Sequence, residues 1–169
     1  MEIWDLYDEN RQIIGEHIRG EELPDNGYHL VVHIWIRNSK GQFLIAQRSA
    51  SRKQNPLMWE CHGGSVLKGE TSLQGALREV KEEVGIDLVA DNGKIVFSKI
   101  RGFINSHKFN DIMDVWLFEY DGEVDLTLAT TDEVAQTIWL YPNEVMELHE
   151  QGKLVKTLTY FFDKIATPA

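Results

Sequence analysis

The sequence predicts an α/β domain, and three observations carry that prediction. Apolar or alternating runs of strand length lie on both sides of a stretch with helical period, Thr71 to Val84. Turn residues punctuate those runs, and two further helical patterns close the chain. With 169 residues, 43% of them apolar and 10% aromatic, there is chain enough for one sizeable core, so 1–169 is read as one folded unit.

Taken in order, Ile3-Trp4-Asp5-Leu6-Tyr7 alternates, Asp8-Glu9-Asn10 turns the chain and Gln12-Ile13-Ile14-Gly15 returns it, which predicts an N-terminal β-hairpin. With the polar segment Arg19 to Gly27, which contains Pro24, it forms a hairpin-and-connector extension over residues 1–27. Between Tyr28 and Arg37 the near-continuous run of Leu30, Val31, Val32, Ile34, Trp35 and Ile36 predicts a strand covered on both faces. Ser39-Lys40-Gly41 is a turn and Phe43 to Gln47 a second strand. Ser49 to Pro56 is a basic loop bearing Arg52 and Lys53, with Arg48 at its root, and Leu57 to Cys61 leads out of it.

In the helical stretch, Leu73, Leu77, Val80 and Val84 recur at spacings of four, three and four, which makes one buried face. Gly63 and Gly64 suit a tight turn before it, Thr71 or Ser72 a cap, and Gly85 its end. Lys94 to Phe103 and Asp111 to Tyr120 read as strands separated by a polar loop, Ile104 to Asn110, and Asp132 to Leu140 as another strand. Pro142 starts a helix to about Gln151, and Leu154 to Ile165 is expected as a closing helix with Leu158, Phe161, Phe162 and Ile165 inward.

The net charge of −10, without a basic stripe or a cationic amphipathic helix, argues against a nucleic-acid polymer or an anionic membrane as partner. A polyanionic small molecule would then need local cations. One cysteine, Cys61, allows no intramolecular disulfide and reads as a small buried hydrophobe. His62 reads as a turn histidine with ordinary hydrogen bonding. The start MEIWDLYDEN lacks a signal-peptide pattern and no apolar run approaches membrane-spanning length, so the expected compartment is the cytoplasm.

Glu79, Glu82 and Glu83 fall together on a side of the helix away from its apolar face. Like charges at these spacings repel, and only Arg78 and Lys81 lie close in sequence, so the patch costs helix stability unless a cation occupies it. A divalent metal is the natural occupant, because hard cations take a few carboxylates and complete their shell with waters and substrate phosphates. Asp111 and Asp114 lie three apart on one strand and so face opposite ways; at most one can enter a given site. Asp111 is either a strand-edge turn residue or an extra metal ligand or base, and Asp114 is the costlier to bury.

Gly64, five residues, Glu70, seven residues, Arg78-Glu79-Val80, one residue, Glu82-Glu83, one residue, Gly85-Ile86 is similar to the Nudix box at every defining position. The resemblance implies a Nudix hydrolase, with a loop-helix-loop that holds Mg²⁺ or Mn²⁺ against a diphosphate inside an α/β/α sandwich built on a central mixed sheet. It implies that Glu82 and Glu83 hold the metal with help from the Gly64 carbonyl, and that Glu79 is a base or a further ligand. Glu70 and Arg78 would pair to brace the loop against the helix. The implied reaction is attack of metal-activated water on a diphosphate linkage of a nucleoside diphosphate derivative or similar small molecule.

From His29 through Trp59 the chain is also similar to the bacterial type of isopentenyl-diphosphate isomerase, itself of the Nudix fold. Arg48 and Arg52 fall where that family holds the substrate diphosphate, His29 on one of its metal-binding histidines, and Asp111 on one of its two late glutamates. Together, Arg48, Arg52 and His29 are the expected substrate-side residues, and Asp111 the extra ligand. The departures weigh against isomerisation: Gly63-Gly64-Ser65 replaces the turn with the catalytic cysteine, and Met113 replaces the second glutamate. An isomerase-like enzyme acting on prenyl diphosphates stays as the alternative, with a non-catalytic nucleotide-binding module behind it. Substrate choice is expected from Ile104 to Asn110 and the N-terminal hairpin, with Trp4, Tyr7, Trp35, Phe103 or Phe109 as stacking or pocket-lining candidates. The hairpin is also a candidate arm for a homodimer.

Overall fold

The computed structural model describes residues 1–166; the last three residues of the expected 1–169 unit lie outside them. An antiparallel hairpin, β1 (Ile3–Tyr7) and β2 (Ile13–Ile18), precedes a mixed sheet. That sheet contains β3 (His29–Arg37), β4 (Phe43–Arg48), β5 (Trp59–Glu60) and β6 (His62–Ser65). After α1 (Ser72–Val84) come β7 (Gly93–Ile104), β8 (His107–Glu119) and β9 (Val134–Leu140), and then α2 (Pro142–Glu150).

β3 is the hub. It runs parallel to β8, in register from His29 opposite Asp111 to Arg37 opposite Glu119, and antiparallel to β6 on its other side. Its alternation explains the unbroken apolar run. Leu30, Val32, Ile34 and Ile36 pack with Ala76, Val80 and Val84 of α1, whereas Val31 and Trp35 pack with Val145 of α2 and with Leu154, Phe161 and Ile165. Each such residue fully withdrawn from water contributes roughly 1.5–3 kcal/mol, so the strand is stabilised from both faces and an α/β/α arrangement results. Among the described residues no helix is long and apolar enough to cross a membrane.

α1 begins and ends as its sequence predicts. Thr71 accepts from the Gln74 amide while Gln74 returns a bond to the Thr71 amide, a capping box, and Gly85 closes the helix in the left-handed region at φ 74°. The turn before it is elsewhere than expected. Gly63 and Gly64 lie in β6 rather than in a turn, and Gly63 is needed because a Cβ there would come within 2.4 Å of the Val32 carbonyl oxygen.

Two other expectations are corrected. The polar segment 104–110 is not a loop but the tip of a long hairpin: Asn105 and Ser106 take positive φ (49° and 71°), and the ladder continues to Ile104 opposite His107. The C-terminal segment forms no single helix. The Trp59 main chain claims its first residues, donating to the Lys153 carbonyl (2.8 Å) and accepting from the Val155 amide (2.9 Å). A 3₁₀ turn (Lys156–Leu158) and a π turn (Phe161–Ile165) follow and still bury Leu158, Phe161 and Ile165.

The N-terminal hairpin is integrated into the fold. Tyr7 and Tyr28 exchange backbone bonds (2.8 and 2.9 Å), the Lys68 amide donates to the Ile3 carbonyl, and Arg11 at the hairpin tip forks onto Asp114 of β8 at 2.8 and 2.5 Å. Asp114 is fully buried, and Ser98 adds a bond at 2.6 Å. Burial opposes its charge, but these donors more than offset it, so its carboxyl sits below the ordinary value.

Candidate active site

β6 and α1 form one corner of a cleft of about 230 Å³, which β4 and the loop after it complete. Glu83 is buried and lines it together with Gly64, Arg48, Arg52 and Glu60. Glu79 stands over Gly64 so closely that a Cβ there would lie 2.3 Å from its carboxyl carbon, which makes glycine a steric requirement at this position. Glu82 is the most exposed of the three acids.

Arg78 organises the cluster. Its Nε donates to Glu70 at 2.8 Å, its Nη1 reaches Glu79 (3.1 Å) and Glu82 (3.2 Å), and its Nη2 donates to the Ser65 carbonyl (3.0 Å). The expected Glu70–Arg78 brace is thus present, and the same guanidinium also serves two of the three helix acids. Glu83 is left to the cleft.

The electrostatics of the cleft follow from crowding. Burial pushes the Glu79 carboxyl up to about 7 against the pull of Arg78, and Glu82 and Glu133 add to the push. Burial also raises Glu83 well above its ordinary value, with Glu79, Glu60 and Glu133 raising it further and Arg52 opposing. Glu60 is raised by burial too, in spite of Arg48. Several carboxylates confined together in low dielectric resist ionisation unless a cation neutralises them. The donor set is all oxygen, with a backbone carbonyl strand beside it, which suits a hard divalent cation. Among the described residues no three of His, Cys, Asp or Glu stand close enough together to hold a metal ion, so Glu83 and the Gly64 strand offer only part of a coordination shell.

Arg48 and Arg52 lie at the cleft as expected. Arg48 donates to Glu60 (2.7 Å) and to the Gln54 carbonyl (3.0 Å), and Arg52 pairs with Glu133 at 3.0 Å. Two expected residues are placed elsewhere. His29 packs beneath β1, stacked on Trp4 with centroids 4.1 Å apart, and burial lowers its pKa to about 4. Asp111 does not turn to the helix acids: its two oxygens accept from Nε (2.8 Å) and Nη2 (2.7 Å) of Arg101. In this structure the carboxylate expected as an extra ligand is engaged by that arginine.

Glu60, Glu133 and Arg101 escaped the sequence reading. Glu60 sits on a two-residue strand, and Glu133 comes near only because β9 pairs with β4, Val134 lying opposite Arg48. Such cross-strand neighbours leave no periodic signal. Of the aromatic candidates, Trp4 and Trp35 are core, Phe103 is exposed on β7, and Phe109 lies under the Arg101 guanidinium at 4.4 Å. Cys61 is buried in the core and burial pushes its thiol up. His62 is fully buried on β6 rather than in a turn, and its Nε2 bonds to the Leu44 carbonyl at 3.2 Å.

Comparison with known proteins agrees with this architecture. A family model, the NUDIX domain, matches residues 27–160. An uncharacterized Nudix hydrolase of Listeria innocua is 41% identical over 165 residues, 96% of this chain and 91% of that protein. A solved MutT protein from Methanosarcina mazei has a TM-score of 0.65 at 28% identity, over 80% of this chain and 91% of that one. A Deinococcus radiodurans structure shares the fold, with a TM-score of 0.69 at 24% identity over 92% of this chain and 93% of that one. The family match spans the mixed sheet and the acid-bearing helix, and the protein belongs to the Nudix hydrolase family.

Proposed function

We propose that the chain hydrolyses a diphosphate linkage in a small organic diphosphate, such as a nucleoside diphosphate derivative, with Mg²⁺ or Mn²⁺ as cofactor. The observation that carries this reading is Glu83, a buried carboxylate of raised pKa that opens into the same cleft as Arg48 and Arg52. One side of the cleft is made for a cation and the other for an anion. Glu82, Glu83 and the Gly64 carbonyl would hold the metal, with Glu79 beside them. When bound, the cation neutralises charge building on the phosphate oxygens and acidifies a water.

The chain's own groups do the rest. Arg48 and Arg52 orient the diphosphate and offset its charge. Glu79 has its pKa near 7, which suits a group that takes the proton of the attacking water at neutral pH. Arg78 keeps Glu79 in place and Glu70 keeps Arg78 in place, so both act through position. Isomerisation of a prenyl diphosphate is the less supported alternative: Cys61 borders the cleft, but it is buried and burial pushes its thiol well up, which disfavours a reactive thiolate.

The test is release of phosphate or pyrophosphate, with and without Mg²⁺, from nucleoside triphosphates, nucleotide sugars, dinucleoside polyphosphates and prenyl diphosphates. Metal-dependent turnover of one class, abolished in Glu83→Gln, is expected. Silence across the whole panel would overturn the reading.

A further inference from the structure

Three cavities meet at Arg101. One is the acid cleft, another opens toward His107 and Phe109, and the third, of about 560 Å³, lies between β7 and the C-terminal turns. Its apolar wall includes Phe97, Met113 and Tyr160, while Lys99, Lys156 and Lys164 stand around it with Arg101. Among the described residues no Asp or Glu lines this chamber. In a chain of net charge −10, four of its 17 lysines and arginines therefore face one hollow that no carboxylate lines among the described residues. Arg101 is already paired with Asp111, but three exposed lysines gathered beside it give the hollow a local positive potential that attracts an anion.

Arg101 gives the chamber a fixed inner wall. It is only 8% exposed, and its Nε and Nη2 are held by Asp111 while Phe109 stacks on its face. A guanidinium carries five N–H donors, and this fork uses one on each of two nitrogens, so among the described residues Nη1 is left for a ligand on a rigidly positioned base. Thr157 and Arg101 line both this chamber and the acid cleft, so the two adjoin across these residues.

We propose that Arg101, Lys99, Lys156 and Lys164 form a second anion subsite, which takes a phosphate monoester that the substrate carries beyond its scissile diphosphate. The organic part between the two anionic ends lies against Phe97 and Tyr160. Asp111 is a positioning residue for Arg101. The inference rests on the hydrolase reading and narrows it to diphosphates that bear a further, remote phosphate.

Binding tests it apart from turnover. The full chain is titrated calorimetrically with a nucleoside 5′-monophosphate and with the matching 3′,5′-bisphosphate, with and without Mg²⁺. The bisphosphate is expected to bind at least about tenfold more tightly, as an added set of charge-assisted bonds implies. The surface variant Lys99→Gln/Lys156→Gln/Lys164→Gln, checked for an unchanged melting temperature, is expected to lose that preference and keep its affinity for the monophosphate. Absence of bisphosphate binding, equal affinity of the wild type for the two ligands, or a preference retained in the variant would each overturn the subsite. Hydrolysis of the substrate panel without any such preference refutes the subsite alone. The preference without hydrolysis refutes the hydrolase reading alone.

Discussion

At the scale of single residues, Glu83 and Gly64 separate chemistry from stability. Glu83→Gln removes a charge that its neighbours and its burial already disfavour, so the metal-free protein is expected to melt no lower than wild type. The same change removes a metal-holding oxygen, and kcat is expected to fall at least about a hundredfold. Parallel melting curves and initial rates check the two halves; a large drop in melting temperature would show that the charge was instead stabilising the fold. Gly64→Ala acts through geometry. Its methyl would displace the Glu79 carboxylate that it meets at 2.3 Å, and the expected result is a loss of kcat with a smaller change in KM, read from steady-state kinetics.

At the scale of elements, the N-terminal hairpin works as a latch. Arg11 lies at its tip with φ 62°, and its side chain reaches across to neutralise the fully buried Asp114. Arg11→Ala would leave a buried carboxylate without its counter-charge, held only by hydroxyls such as that of Ser98, and a cost of about 3 kcal/mol is expected in denaturant unfolding. Pairing it with Asp114→Leu should recover most of that loss, because removing both charges removes the desolvation burden along with the attraction. A double variant no more stable than Arg11→Ala would contradict the latch. The hairpin and the opposite facing of Asp111 and Asp114 on one strand are legible in the sequence, but the partner of Asp114 is not, since nothing local links residue 11 to residue 114. The same limit explains what else was legible. α1 announced itself through period, cap and terminal glycine, and β3 through its apolar run, because those signals sit in consecutive residues. The 105–106 turn was hidden by polar flanks that in fact continue the ladder, and the closing helix by the backbone of Trp59, which took its first hydrogen bonds. In the site, the acids of one helix and the arginines of one loop could be read locally. Glu60, Glu133 and Arg101 could not, because each arrives from a different strand. The surroundings of His29 and Asp111 could not be read locally either, because their partners, Trp4 and Arg101, come from other strands.

At the scale of the whole molecule, two sets of buried ionisable groups set opposing limits on stability. His29, His33 and His62 are neutral in the fold, burial lowering them to about 4, about 3 and about 4, and His33 is held by the Tyr160 hydroxyl at 2.8 Å. Below the ordinary histidine value of 6.5 the unfolded chain binds protons that the folded chain refuses, so the stability present above that value is lost as pH falls toward 4. Each histidine contributes about 1.4 kcal/mol per pH unit across that window. The raised carboxyls act in the other direction. Between the ordinary value of 4.5 and about 7 the folded chain keeps a proton on Glu79 that the unfolded chain releases, so stability declines as pH rises through that range, and Glu83 extends the decline upward. A metal-free melting profile is therefore expected to peak near pH 6. Mg²⁺ or Mn²⁺ should lift its alkaline limb and leave the acid limb unchanged, because the cation neutralises the carboxylates and does nothing for the histidines. Replacing His29 by Phe should flatten the acid limb by about one proton. A profile with no metal effect above pH 7 would argue that the acids are merely crowded, whereas a lift confined to that limb would tie the crowding to the cation, the one occupant that makes a buried cluster of carboxylates stable.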